Sequence, residues 1–201
     1  MRASEAEERI RMKAEAALRV AFPDARIIHE LVVRQGSCRL DLAAVTEQRL
    51  ILVEIKSEKD VLTRLEKQAK EARAVADGFK VCVADKHLDK AREITRWTDT
   101  CAEADIEREI VHGSYFQRQV MQGLCNAPAR LDMLWANELR IVAQSGPKAS
   151  RSASILRASD SLTGSEVRRR VCAALRAREF PRADAPILSD LFQSPTRALA
   201  A

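Results

Sequence analysis

Arg39-Leu40-Asp41 and Leu52-Val53-Glu54-Ile55-Lys56 are the stretches whose reading decides the fold. They read as two neighbouring strands, and strand side chains alternate between faces, so Glu54 and Lys56 share one face while Val53 and Ile55 share the other. Val53 and Ile55 can then bury against helices. A lone carboxylate or ammonium on such an apolar strand is costly to desolvate and needs a partner or an ion. Asp41, on the adjacent strand, is the nearest candidate.

Those residue types suit one chemistry. Hydrolysis of a phosphodiester needs a cation to offset the phosphate, a positioned water and stabilisation of the charge that builds in the transition state. Two hard carboxylates suit Mg2+, which prefers oxygen, keeps several waters and takes further oxygens from substrate phosphate. Such a cation also acidifies water enough to make it a nucleophile near neutral pH. Lys56 beside it would orient that water or offset charge on the phosphorane. The plain alternative is a salt bridge in which Lys56 and an acid simply satisfy each other.

The order Asp41, Glu54-Ile55-Lys56 and a following amphipathic helix bearing Gln68 resembles the catalytic core of the PD-(D/E)XK nuclease superfamily. Further residues narrow this: His29-Glu30-Leu31, Ser57, Asp60, Arg64-Leu65 and Leu134-Trp135-Ala136-Asn137-Glu138-Leu139. Together they are similar to a group of bacterial and phage-borne proteins in which a nuclease-like core precedes a short helical tail. The resemblance spans residues 25 to 180. It implies an α/β fold with a restriction-endonuclease-like mixed central sheet flanked by helices, and a small C-terminal helical subdomain. It implies Mg2+ or Mn2+ held by Asp41 and Glu54, a catalytic role for Lys56, and support from Gln68 and Glu30. Glu30 has two readings, a third metal ligand or a partner holding Arg39 across the strand pair. Leu40 stands where the namesake has Pro, and Ala72 where an exonuclease-like branch carries Tyr, so that branch is not assigned.

Composition bounds the rest. The chain has 201 residues, 46% apolar and 31% charged, which allows a proper core and argues against disorder. No apolar run approaches the roughly 20 residues of a membrane span, and Met1-Arg2-Ala3-Ser4-Glu5 opens a charged helix rather than a signal peptide. The expectation is a cytoplasmic protein with no membrane contact. Five cysteines, Cys38, Cys82, Cys101, Cys125 and Cys172, are scattered without a C-x-x-C, and His29, His87 and His112 are equally dispersed, so neither zinc nor a disulfide framework is expected. No glycine-rich phosphate loop occurs among the six glycines.

The net charge of +5 belongs to the end of the chain. Residues 126–201 hold twelve Lys or Arg against seven Asp or Glu, whereas residues 1–125 balance. The chain is therefore divided into a nuclease-like core, 1–125, and a basic helical subdomain, 126–201. Arg39 and Arg64 of the core and Arg168 and Arg169 of the tail are the candidate contacts to a nucleic-acid backbone.

In order, a helix is expected over Ser4–Phe22, strands over Arg26–Arg34, Cys38–Val45 and Arg49–Ser57, and a helix over Glu58–Gly78 with an Asp60–Arg64 surface pair. A buried strand follows at Phe79–Ala84, in a right-handed parallel crossover with the third strand. Lys86–Trp97 reads as a helix and Ile106–Val111 as an edge strand. Gly113–Gly123 is unassigned, with Tyr115 and Phe116 read as packing residues. The tail reads as three helices, Arg130–Gln144, Ala149–Ala158 and Glu166–Glu179, the last with Arg168, Arg169, Arg170, Arg176 and Arg178 mostly outward, and a frayed end after Pro195.

Three functions follow in order. The first is a metal-dependent nuclease acting on nucleic acid, chiefly DNA, in a phage, repair or defence setting, with no assigned specificity and a homodimer as one assembly open to it. The second is a nucleic-acid-binding protein that no longer cuts. The third is a phage-encoded protein inhibitor using the fold as scaffold.

Overall fold

The structure is a computed structural model and describes residues 4–33, 36, 38–122 and 126–197. Helix α1 (Glu5–Ala21) starts where the Ser4 hydroxyl accepts the Glu7 N–H. Strands β1 (Arg26–Val33), β2 (Cys38–Val45) and β3 (Leu50–Lys56) follow, then α2 (Leu65–Val75), β4 (Gly78–Val83), α3 (Leu88–Ile94) and β5 (Thr100–Ala102). The sheet order is β1-β2-β3-β4-β5, antiparallel through β3 and parallel from β3 to β5. Helices α4 (Ser114–Gln122), α5 (Ala127–Leu131), α6 (Ala136–Ala143), α7 (Arg151–Ser161) and α8 (Gly164–Ala177) complete the chain. The mixed α/β sheet flanked by helices, with helices at the C-terminal end, is the expected architecture.

Two cores lie on the two faces of the sheet. Ile10, Ala14, Ala17 and Leu18 of α1 pack with Leu42, Val53, Ile55 and Cys82, together with Phe116 and Val120 of α4. Helix α4 comes so close that a Cβ on Gly78 would lie 2.4 Å from Val120 Cγ2. On the other face Leu40, Leu52, Val81 and Val83 share one core with Leu65, Ala69 and Ala72 of α2 and with α5, α6 and α8. Among the described residues no helix is long and apolar enough to cross a membrane.

The tail is tied to the sheet by buried arginines. Arg26, on β1, donates to the carbonyls of Leu175, Arg176 and Arg178, which α8 leaves unsatisfied at its C-terminal end. Asp77, just after α2, accepts from Leu50 N–H and pairs with Arg130 of α5 at 2.8 Å. Residues 182–184 run along the outer edge of β1, with His29 N–H donating to Arg182 O and Asp184 N–H to Ile27 O.

Several expected elements differ. The helix expected from Glu58 begins only at Leu65, because the Asp60 carboxylate accepts from both the N–H and the hydroxyl of Ser57 and holds a turn there. The Asp60–Arg64 pair is therefore replaced by that turn. Ile106–Val111 is not a strand: Ile106 and Ile110 are four apart and bury together against α1, and residues Arg108–His112 form a π-helical turn. The edge strand is the shorter Thr100–Ala102.

The first tail helix is two, α5 and α6, because Arg151 donates to the carbonyls of Asp132 and Leu134 and draws residues 132–135 out of a helix. Phe116 is buried as expected, whereas Tyr115 is exposed. Thr196 stays pinned at the end of the chain, its N–H donating to Ala177 O. Cys38, Cys82, Cys101 and Cys172 are buried free thiols. Arg34, the expected end of the first strand, and Cys125, at the expected boundary between core and tail, lie outside the described residues.

Candidate functional site

The candidate site is a fork in the sheet. β2 and β3 pair only from Val45↔Leu50 to Leu42↔Val53. Beyond that point β3 continues with β4, placing Glu54 opposite Val81 and Lys56 opposite Val83, while β2 continues with β1, placing Leu40 opposite Leu31. Asp41 sits in the crotch, where its Oδ2 accepts the Ile55 N–H at 2.8 Å. A side chain thus replaces the carbonyl that a continuing ladder would supply.

Glu30, across from Asp41, has φ 58°, a left-handed conformation that costs a non-glycine residue of order 1 kcal/mol or more. The turn it makes changes the face of the strand. Ile28 and Leu31, three apart, both reach the same core, as do Leu40 and Ala43 on β2.

Glu54 and Lys56 project from β3 toward α2. Glu54 Oε1 accepts from Lys56 Nζ at 2.6 Å and from Gln68 Nε2 at 2.5 Å. Lys56 Nζ also donates to Gln68 Oε1 at 3.0 Å, and Gln68 Nε2 lies 3.4 Å from Arg39 O. The second carboxylate oxygen, Glu54 Oε2, is buried and without a hydrogen-bond partner. Burial, and after it the nearby Asp41 charge, push the Glu54 carboxyl up to about 8. Burial likewise raises Asp41, against the opposing pull of the Ile55 N–H and Arg11.

The upward shift of Glu54 has a stability consequence. Between the ordinary value of 4.5 and about 8 the folded protein holds a proton on Glu54 that the unfolded chain has released. The contribution of Glu54 to the stability of the metal-free protein is therefore fully present below that window and is lost as pH rises through it. Urea midpoints in EDTA are expected to decrease from pH 5.5 to 8.5, with a shallower decrease in Glu54→Gln. A Glu54→Gln profile as steep as wild type would assign the effect to another group.

The structure adds a residue that motif reading passes over. Arg11 of α1, 1% exposed, donates to Asp41 O at 3.0 Å and lies 3.3 Å from Asp41 Oδ1, 3.4 Å from Glu30 Oε1 and 2.8 Å from Glu7 Oε1. Its signal in the sequence was position: it lies three and seven residues before Ala14 and Leu18, on the buried stripe of an otherwise charged helix. An arginine on such a stripe has a buried acid to meet.

The other expected residues separate into two groups. Glu30 holds Arg39 at 2.7 Å and lies 3.4 Å from Arg11, the contact that the strand-bridging reading expects. Arg39 is exposed beside the fork, and Arg64 is exposed at the start of α2. Arg169 is exposed on α8, but Arg168 is mostly buried with Asp77 at 3.6 Å, so it is part of the joint between α8 and α2 rather than a free backbone contact. Arg178 is also inward, stacked on Trp135 and paired with Glu138.

Among the described residues no three His, Cys, Asp or Glu side chains come together as a metal cage. Asp41 and Glu54 are near enough for the charge of one to raise the other, two hard carboxylates with one buried oxygen, Glu54 Oε2, unpartnered. That set fits a small divalent cation that keeps most of its own water.

The Leu134-Trp135-Ala136-Asn137-Glu138-Leu139 motif has a structural explanation. Trp135 N–H donates to Glu138 Oε2 at 2.8 Å to start α6, and Glu138, fully buried, receives Arg178 and Thr196. Leu134 and Leu139 enter the core shared with the sheet. No curated protein and no solved structure matches this chain at a significant level. The family model described as bacteriophage P4 protein cII matches residues 6–188, from α1 to beyond α8, and the chain belongs to that phage protein family.

Proposed function

We propose that this protein is a divalent-metal-dependent nuclease that hydrolyses phosphodiester bonds in DNA, acting in the cytoplasm of a phage-infected or phage-carrying cell. The observation that carries the reading is the buried, unpartnered Glu54 Oε2 beside Asp41 at the sheet fork, with Lys56 fixed on the other oxygen. Bound there, Mg2+ or Mn2+ would supply the Lewis acid and the acidified water that phosphodiester hydrolysis requires. The chain's own residues do the rest. Asp41 is oriented by Ile55 N–H and Arg11, so its carboxylate cannot swing away from the fork. Gln68 holds both Glu54 and Lys56, leaving the ammonium positioned to donate to an attacking water or to a phosphate oxygen. Arg39, exposed beside the fork, and Arg64, exposed at the start of α2, supply charge for the flanking backbone.

The test uses supercoiled plasmid and circular single-stranded DNA with Mg2+, with Mn2+ and with EDTA. Metal-dependent cutting is expected on at least one substrate. Absence of cutting from folded protein, together with no heat of Mn2+ binding in calorimetry, would remove the reading.

One observation favours a second reading, a non-cutting nucleic-acid-binding protein or a phage-encoded inhibitor on the same scaffold. Both Asp41 oxygens already accept bonds from Ile55 N–H and Arg11, as a purely structural network would require. A homodimer, which would place two forks on one duplex, is checked by light scattering of the same preparation.

A further inference from the structure

A groove of about 850 Å³, within the size range of ligand clefts, lies between β1 and the segments before α6 and after α8. Glu30 and Arg39 line it, and so do Trp135, Arg178, Phe180 and Arg182. The groove therefore begins at the residues that flank the fork, since Glu30 shares Arg11 with Asp41 and Arg39 O faces Gln68.

Its walls have two properties. The first is a preassembled stack: the Arg178 guanidinium lies 4.4 Å from the centroid of Trp135 and 5.4 Å from that of Phe180. Glu138 holds that guanidinium and Arg26 lies over Phe180 at 5.5 Å, so the rings are ordered before any ligand arrives. A planar group that stacks on them loses little to the ordering of the wall. The second is charge. Each acid lining the groove is met by an arginine: Glu30 by Arg39, Asp132 by Arg151, and Glu179 by Arg197. Arg182 is exposed and makes no ion pair among the described residues, which leaves the groove positive. Aromatic rings with unneutralised arginine suit unpaired bases on an anionic backbone.

We propose that this groove binds the unpaired bases of single-stranded DNA, so that the strand enters the fork already separated from its complement. The inference rests on the nuclease reading for what happens at the fork, but the binding itself does not require cutting. A duplex keeps its bases stacked on one another and cannot offer them to Trp135.

The test is binding of a fluorescein-labelled oligothymidylate to the full chain in EDTA, read by anisotropy and by tryptophan emission. It uses Trp97→Phe as background, because Trp97 and Trp135 are the two tryptophans. Titration is expected to quench Trp135. Trp135→Ala is expected to weaken binding by roughly fivefold or more, as for loss of a base-stacking ring. Arg182→Glu, at an exposed position where folding is not at stake, should weaken it about threefold and lower the salt slope by about one. A blunt duplex of equal length should bind less and quench nothing.

Binding without quench, an Arg182→Glu protein with unchanged affinity and salt slope, or equal quench by duplex would each overturn the proposal. Failure of the oligonucleotide to bind would overturn it too. Quench without cleavage in Mg2+ would keep the groove and remove the nuclease; cleavage without quench would do the reverse.

Discussion

Asp41→Asn and Lys56→Ala are each expected to reduce metal-dependent DNA cleavage by about 10²–10³-fold or more, the scale seen when one preorganised electrostatic group is removed from a hydrolytic site. The two variants should fail differently. Asp41→Asn removes charge from the donor pair, so Mn2+ binding should weaken along with cleavage. Lys56→Ala leaves Asp41 and Glu54 in place, so metal binding should persist or strengthen while cutting is lost, because the ammonium that shares Glu54 Oε1 is gone. Arg11→Met should give a smaller loss, on the order of tenfold by misplacement, since Arg11 acts through Asp41 and touches neither metal nor substrate. Cleavage rates at matched metal saturation, beside circular dichroism to confirm folding, separate these cases. Undiminished cutting by Asp41→Asn would show that the fork is not where the chemistry occurs.

The largest loss of stability is expected at Glu138. Its carboxylate is fully buried and accepts from Arg178 Nε at 2.9 Å, Thr196 Oγ1 at 2.8 Å and Trp135 N at 2.8 Å. Glu138→Ala leaves the Arg178 guanidinium buried without its counter-charge, which costs about 3–5 kcal/mol. At about 2–4 °C per kcal/mol for a chain of this size, the thermal midpoint should fall by roughly 6–20 °C. Replacing both partners, as in Glu138→Leu with Arg178→Met, removes the unpaired charge and should recover much of the loss. A double variant no more stable than Glu138→Ala would mean that the bonds to Thr196 and Trp135 matter more than the ion pair. Because these residues join α6 to the end of the chain, loosened packing of the C-terminal residues should accompany the loss and be visible by hydrogen exchange.

Much of the sheet was legible from local pattern. The alternation in Leu50–Lys56 separates Val53 and Ile55 from Glu54 and Lys56, and the folded protein puts them on opposite faces. The run Phe79–Val83 after an amphipathic helix implied a parallel crossover, and β4 pairs with β3 in that sense. Those inferences depend only on strand periodicity and chain connectivity, which neighbours in sequence already determine.

Where inference from sequence failed, side-chain hydrogen bonds, some local and some from far along the chain, overrode the helical pattern. Asp60 was read as a helix-surface acid and instead caps Ser57, delaying α2 to Leu65. Residues 132–135 carry a helical pattern, but Arg151, seventeen or more residues on, takes the carbonyls of Asp132 and Leu134. Arg168 and Arg178 sit on a helix that looks evenly basic, yet Asp77 and Glu138 draw them inward.

By itself the sequence determined the first four strands with their antiparallel and parallel pairing, the Asp41, Glu54, Lys56 and Gln68 set and the basic character of the tail. Only the tertiary structure decided that β2 and β3 part at Asp41, that Arg11 reaches that carboxylate from the first helix, and that the tail's arginines serve as joints as well as surface. The physical reason is that a buried charge takes its partner from whatever lies within a few ångströms, and burial and proximity exist only once the chain has folded.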